Sequence, residues 1–331
     1  MDFSKFESYF MHSIYQYQQF ISDYLQSQYT IKEPKNLYEP IHYILDLGGK
    51  RMRPVLTLMS AEVFDADYKK ALPAALAVEV FHNFSLVHDD IMDAAPLRRG
   101  NETVHEKWNI NTAILSGDAM LILAYQYFEQ YEPTVFRDLA KLFGKTALEV
   151  CEGQQWDVDF ETRDDVTIPE YLKMIEYKTA VLVAAAMKMG AIIAETSKIN
   201  ASLIYEFGLN LGLAFQLQDD YLDAFGDASL FGKEAGGDIK QNKKTFLLIR
   251  ALEMANAEQL ITLNALLASD PADKVDQVLT IFKDCKVDAW AEDLKQKYMQ
   301  EALAHLESIA VVSARKKPLI DLANYLMNRI Q

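Results

Sequence analysis

Helix breakers recur at short intervals along this chain: Pro34 and Pro40, Gly48 and Gly49 before Pro54, Pro73, Pro96, Pro133, Pro169, the glycines from 226 to 237, Pro271 and Pro318. The stretches between them run for about 15 to 30 residues, with apolar side chains returning every three and four positions, and that spacing predicts about ten or more amphipathic helices. No alternating, strand-like run of useful length interrupts them. With only 13 glycines and 9 prolines in 331 residues, the chain is rich in Ala, Leu, Lys, Glu, Gln and Met, which lose little on entering a helix. An all-α fold is expected. No Ser/Gly-rich linker or change of composition divides the chain, so a single large domain spanning 1–331 is the economical reading. The exception to helix is GDASLFGKEAGGDIKQNK, 226 to 243, whose four glycines and three lysines predict a loop. AVLVAAAMKMGAIIA, 180 to 194, carries Lys188 and is shorter than the roughly 20 residues a membrane span needs, so it is expected to be a buried core helix.

Two acidic clusters break the apolar pattern. SLVHDDIMD places Asp89, Asp90 and Asp93 together, and FQLQDDYLD repeats the spacing with Asp219, Asp220 and Asp223. The first and last Asp of each cluster are four apart, which on a helix puts them on one face. A lone D-D-x-x-D usually reads as a solvated acidic face or a cap. Two copies, each flanked by apolar residues, weigh against that reading, because bare carboxylates in such surroundings are costly. Carboxylates without His or Cys at matching spacing suit hard cations, and Mg²⁺ is typically held by one or two of them with water and phosphate oxygens. A Mg²⁺-bound polyphosphate is the ligand this pattern predicts.

The basic residues fit that ligand. GGKRMRP, 48 to 54, gathers Lys50, Arg51 and Arg53 after two glycines, and Arg98 and Arg99 follow the first acidic cluster. Arginine suits phosphate through its planar, permanently charged fork. A basic cluster by itself is more often ordinary solvated surface, but this chain has a net charge of -15. That charge excludes a general nucleic-acid binder, which needs cations to displace counterions. His82 and Ser85 lie in line with Asp89 on the helix, and Gln154, Asp157, Lys178 and Thr179 are polar residues in apolar segments. Each of these would pass singly for a hydrogen-bonded core residue.

Cys151 and Cys285 are too few and too isolated for a disulfide framework, and the aromatic, mixed-charge start MDFSKFESYFMHSIYQYQQF has no secretory pattern. A reducing, cytoplasmic setting without a transmembrane segment is expected.

GGKRMRP, HNFSLVHDDIMD with RRG, GQQWD, the KT of EYKTA, and FQLQDDYLDAFGD with GKEAGGDIKQNKKT together resemble the trans-isoprenyl diphosphate synthases of the polyprenyl synthetase family, across about residues 45 to 245. The resemblance implies an all-α bundle around a deep central cavity, with two Asp-rich helices facing each other at its mouth, and a homodimer. It implies three Mg²⁺ ions bridging an allylic diphosphate to the clusters, two on Asp89 and Asp93 and the third on Asp219, with Asp90, Asp220 and Asp223 in support. Arg98, Lys178, Thr179, Gln216, Lys233 and Lys243 would contact that diphosphate. Lys50, Arg53, His82 and Arg99 would hold isopentenyl diphosphate. Lys178 and Thr179 would also steady an allylic carbocation, and the loop bearing Lys233 would exclude water.

Product length in the resembling family follows bulk at the positions four and five before the first Asp, here Ser85 and Phe84, with Phe81 a turn behind. An aromatic paired with a small residue resembles synthases of the twenty-carbon product, geranylgeranyl diphosphate; narrowing by Phe81 would give the fifteen-carbon farnesyl diphosphate instead. A terpene cyclase would share the first acidic motif, but its second metal site mixes Asn, Ser or Thr with Glu, and it has no use for GGKRMRP. A noncatalytic subunit of a heteromeric synthase would tend to lose one of the motifs, all of which are present here.

Overall fold

The computed structural model describes residues 11–27, 32–226 and 236–328; Lys233 and most of the glycine-rich stretch lie outside them. The chain forms two compact units. The first comprises Met1–Gly144, Ala185–Ser202 and Ala310–Arg315; the second comprises Lys145–Ala184, Leu203–Ile309 and Lys316–Gln331. Helices carry nearly all of the described structure, in agreement with the all-α expectation.

The first unit holds α1 (Ile14–Ser27), α2 (Lys35–Asp46), α3 (Met52–Val63), α4 (Leu72–Met92), a two-residue hairpin of β1 (Leu97–Arg98) and β2 (Asn101–Glu102), α5 (Val104–Lys107) and α6 (Ile110–Tyr127). α7 (Pro133–Glu161) starts in this unit and ends in the second. Pro73 and Pro133 sit in the first turn of α4 and α7, where the missing N–H has no intrahelical partner to lose. Pro40, however, lies inside α2, buried, so that breaker does not end its helix. α4 is apolar almost all round because it is covered almost all round: Ala74, Ala75, Leu76, Ala77, Val78 and Phe81 have no exposed surface. α3 lies close to residues 187–190, where Ser60 Oγ donates to the Met187 carbonyl at 2.6 Å.

The second unit holds the rest of α7, α8 (Ile168–Ile175), a π-helical turn (Glu176–Ala180), most of α10 (Lys198–Phe225), α11 (Gly237–Lys240), α12 (Phe246–Met254), α13 (Ala257–Leu267), α14 (Lys274–Asp284), α15 (Val287–Glu307) and the greater part of α16 (Ser313–Asn328). α9 (Val181–Ile193) begins in this unit and continues in the first. Phe160, Tyr171, Met174, Leu213, Phe246 and Phe282 pack into one core, and truncating any of these aromatics would cost about 3–5 kcal/mol. Capping boxes start α8 at Thr167 with Glu170 and α13 at Asn256 with Gln259, each closing two orphan donors of its first turn. The stretch 180 to 194 is buried as its composition predicts, including Ala180, Leu182, Ala185, Met187 and Ala191. Among the described residues, no helix is long and apolar enough to cross a membrane.

Candidate active site

Both acidic clusters lie at helix C-termini. Asp89 and Asp90 occupy the last turn of α4 and Asp93 is its C-cap, while Asp219, Asp220 and Asp223 fall in the last two turns of α10. The C-terminal end of a helix carries the negative pole of its macrodipole, so carboxylates there are disfavoured twice, by one another and by the backbone. Cations relieve both terms.

Within the first unit, the hairpin β1–β2 supplies one of those cations. Arg98 Nε donates to both oxygens of Asp90, at 2.8 and 2.9 Å, and its Nη2 lies 2.6 Å from Asp90 Oδ1 and 3.7 Å from Asp89 Oδ2. Burial works against the charge of Arg98, but the hydrogen bond and charge of Asp90, with Asp89 and Asp93 beyond, outweigh it and raise its pKa. Asp90 is buried to 1% exposure, whereas the side chain of Asp89 keeps 21%. The members of the cluster therefore differ: Asp90 anchors the hairpin, and Asp89 is the more accessible.

The glycine pair before α3 shapes the rest of this unit's site. Gly48 and Gly49 have φ of 76° and 123°, which favour glycine, and a Cβ on Gly49 would lie 2.8 Å from Arg99 Cζ. The Arg99 guanidinium thus lies against the glycine backbone, where Nη1 donates to the Gly48 carbonyl. Arg51, itself in the left-handed region at φ 48°, donates to Glu79 and to the Leu45 carbonyl. Asn83 Nδ2 also donates to Glu79, at 3.0 Å. Arg53 Nη1 meets His82 Nε2 at 3.2 Å. A guanidinium has no acceptor, so His82 Nε2 accepts this bond and the ring carries its proton on Nδ1. Burial, then the charges of Arg53, Arg99, Arg98 and Arg51, hold His82 well below the usual histidine range, so the imidazole is neutral. Burial also lowers the pKa of Arg53, an effect that Glu79 opposes. Lys50 is exposed. Ser85 Oγ donates to the His82 carbonyl at 2.8 Å, and Phe84, 9% exposed, packs on Phe81 and His88.

In the second unit α7, the π turn and α10 come unusually close. A Cβ on Gly153 would lie 2.2 Å from Lys178 N, and one on Gly212 would lie 2.7 Å from Ala180 Cα. Only glycine allows these backbones to meet. Lys178 Nζ then pairs with Asp157 at 2.6 Å, and Thr179 Oγ1 donates to Gln216 Oε1 at 3.1 Å. Gln216 Nε2 passes the chain on to Asp220 Oδ1 at 2.9 Å, and Tyr171 donates to Asp220 Oδ2. Burial raises the pKa of Asp220; the charge of Lys243 and the hydrogen bonds of Tyr171 and Gln216 pull it down. Asp223 Oδ2 accepts from the Asp238 N–H at 2.9 Å. Asp238 is pushed up to about 6 by burial, against Lys243, and by the charges of Asp220, Asp223 and Asp157. Lys243 lies 3.8 Å from Asp238.

Glu79, Tyr171 and Asp238 escape the sequence reading. Asp238 had a signal, its place directly after Gly236 and Gly237 in the loop motif. Glu79 and Tyr171 had none, since each matters through a partner distant in sequence.

Among the described residues no three His, Cys, Asp or Glu side chains gather closely enough to enclose a metal on their own. The donor set still fits Mg²⁺, which takes one or two carboxylates and completes its octahedron with water and phosphate oxygens. Carboxylates at the negative pole of a helix supply that kind of partial shell.

A family model described as polyprenyl synthetase matches residues 34–284. A solved crystal structure of a geranylgeranyl pyrophosphate synthase shares 52% identity with this chain, covers 96% of it and 99% of its own length, and superposes with a TM-score of 0.91. The geranylgeranyl pyrophosphate synthase of Geoglobus acetivorans is 37% identical over 301 residues, 90% of this chain and 92% of that protein. The geranylfarnesyl diphosphate synthase of Natronomonas pharaonis is 34% identical over 328 residues, 93% and 94% of the two chains.

Proposed function

The chain belongs to the polyprenyl synthetase family and is a prenyltransferase, and from that premise we propose that it joins isopentenyl diphosphate to allylic diphosphates and releases geranylgeranyl diphosphate. The observation that carries the reading is the pairing of two D-D-x-x-D clusters at helix C-termini with separate sets of arginines and lysines. Relatives named for twenty-carbon products favour that length, and those named for geranylfarnesyl diphosphate mark the longer alternative.

In the proposed reaction the allylic C–O bond breaks, diphosphate leaves with its electron pair, and the isopentenyl double bond attacks the allylic carbocation. A proton is then lost from the new chain to the released diphosphate. The family uses Mg²⁺, and Asp89, Asp93 and Asp219 would hold three ions that neutralise the departing diphosphate, supported by Asp90, Asp220 and Asp223. Arg98 pairs with Asp90 and so keeps the hairpin in place. Arg53, with Lys50 and Arg99, binds the isopentenyl diphosphate, and neutral His82 accepts from Arg53 without adding charge. Lys178, Gln216, Lys243 and Lys233 serve the allylic diphosphate; Lys233 lies outside the described residues. The π turn carrying Lys178 and Thr179 presents backbone and side-chain dipoles to the cation, consistent with the use of such turns at functional sites.

Phe84 bounds the growing chain, with Phe81 beneath it and Ser85 beside it on the same helix. Residues 1–331 act as one polyprenyl synthetase domain, since the family match runs through both units. The protein works as a cytoplasmic homodimer, a reading supported by the free cysteines and by Ile114, Leu115 and Ile122, large apolar side chains of α6 that are 40%, 60% and 59% exposed.

Mass analysis of products formed from isopentenyl diphosphate with five-, ten- and fifteen-carbon primers tests the proposal. Twenty-carbon diphosphate, abolished by chelating Mg²⁺, is the expected result. Hydrocarbon released from geranylgeranyl diphosphate alone would instead mark a cyclase.

A further inference from the structure

His88 precedes the first aspartate and lies one turn beyond Phe84 on α4. The two rings meet at 4.8 Å between centroids, steeply inclined to each other. Phe84 in turn meets Phe81 at 5.4 Å, and Phe81, with no exposed surface, meets Phe143 at 5.1 Å. His88 also rests on α6, with Nε2 3.3 Å from the Ile114 carbonyl and 3.8 Å from Asp118 Oδ1. Gly117 makes this possible. A Cβ there would stand 2.3 Å from His88 Nε2 and 2.6 Å from its Cδ2, closer than real contacts come. The imidazole therefore fills the space that any other residue at 117 would claim.

We propose that Gly117 and His88 are specificity-determining residues, which set product length by bracing Phe84 from α6. The inference rests on the reading of Phe84 as the boundary of the growing chain and adds the device that positions it. Protein interiors have no spare volume, so a methyl group added at an interhelical contact displaces its neighbours toward whatever space is open. Phe81 cannot yield, being fully buried against Phe143. Phe84 keeps 9% exposure and borders the space that the hydrocarbon enters, so it yields. Gly117→Ala thus narrows that space and shortens the product. Removal of the imidazole has the opposite sign: Phe84 relaxes toward α6 and the product lengthens.

The test compares wild type with Gly117→Ala, His88→Ala, the double variant and Phe84→Ala, measuring product chain lengths at equal substrate conversion. Gly117→Ala is expected to shift the ratio of twenty- to fifteen-carbon product about tenfold toward fifteen. The double variant reverses that shift, because the methyl no longer meets a ring, and His88→Ala alone gives product longer than twenty carbons. If Phe84→Ala lengthens the product while the other variants stay within about twofold of the wild-type ratio, the bracing role is wrong. If Phe84→Ala leaves the distribution unchanged, the boundary reading itself fails and takes the brace with it. Should Gly117→Ala fail to fold, wild-type ratios in both His88→Ala and the double variant would equally overturn the proposal.

Discussion

Replacing Gly153 by Ala tests how tightly backbone contact at the π turn governs turnover. A Cβ at 153 would lie 2.2 Å from Lys178 N, 2.7 Å from the Tyr177 carbonyl carbon and 2.8 Å from Lys178 Cα, all of them backbone atoms. Carbon rests against such atoms at about 3.5 Å, so α7 and the turn must part by about 1 Å. No rotamer can relieve this clash. Asp157 lies one turn beyond Gly153 on α7 and holds Lys178 Nζ at 2.6 Å, so the same displacement stretches that ion pair. A misplacement of 1 Å at reacting groups costs about 100-fold in rate, equivalent to ~2.7 kcal/mol of barrier. The assay is single-turnover formation of prenyl product with saturating isopentenyl diphosphate, paired with urea unfolding to exclude loss of folded protein. Gly144→Ala is the control, since its Cβ meets only the flexible tip of Tyr125 at 3.1 Å. Turnover of Gly153→Ala within about threefold of wild type would refute the reasoning, because the backbones would then have moved without consequence for Lys178.

Three other substitutions follow from the same geometry. Asp90→Asn leaves Arg98 without its buried counter-charge and should cost about 2–3 kcal/mol in urea unfolding, below the usual penalty for a broken buried pair because Arg98 is a quarter exposed. His82 takes up no proton near pH 6.5 when folded but does so when unfolded, so it makes stability fall as pH drops below about 6.5, by up to ~1.4 kcal/mol per pH unit. His82→Gln should flatten that part of the stability profile between pH 5.5 and 7; an unchanged slope would mean that the ring is not held neutral. Tyr171→Phe removes a hydrogen bond from buried Asp220 and raises the pKa of that carboxylate further. The acid limb of its pH–rate profile should move to higher pH relative to wild type.

What the sequence alone determined is what short-range spacing can encode. Breakers separated by amphipathic segments dictated helices, and two D-D-x-x-D repeats placed Asp89 with Asp93 and Asp219 with Asp223 on common faces, since both follow from the 3.6-residue period. The small hairpin bearing Arg98 was not legible, because two residues per strand leave no alternation to detect. Pro40 inside α2 was misleading for a related reason: tertiary packing can override a local preference. The tertiary structure decided which equivalent-looking residues differ. Asp89 and Asp90 are neighbours in sequence, yet Asp90 is sealed under Arg98 and Asp89 is accessible. Glu79 acquires its importance from Arg51, Asp220 from Tyr171, and Gly117 from His88, partners 28, 49 and 29 residues apart. Helical periodicity is a property of neighbours along the chain, whereas burial and charge pairing arise only when distant segments pack together.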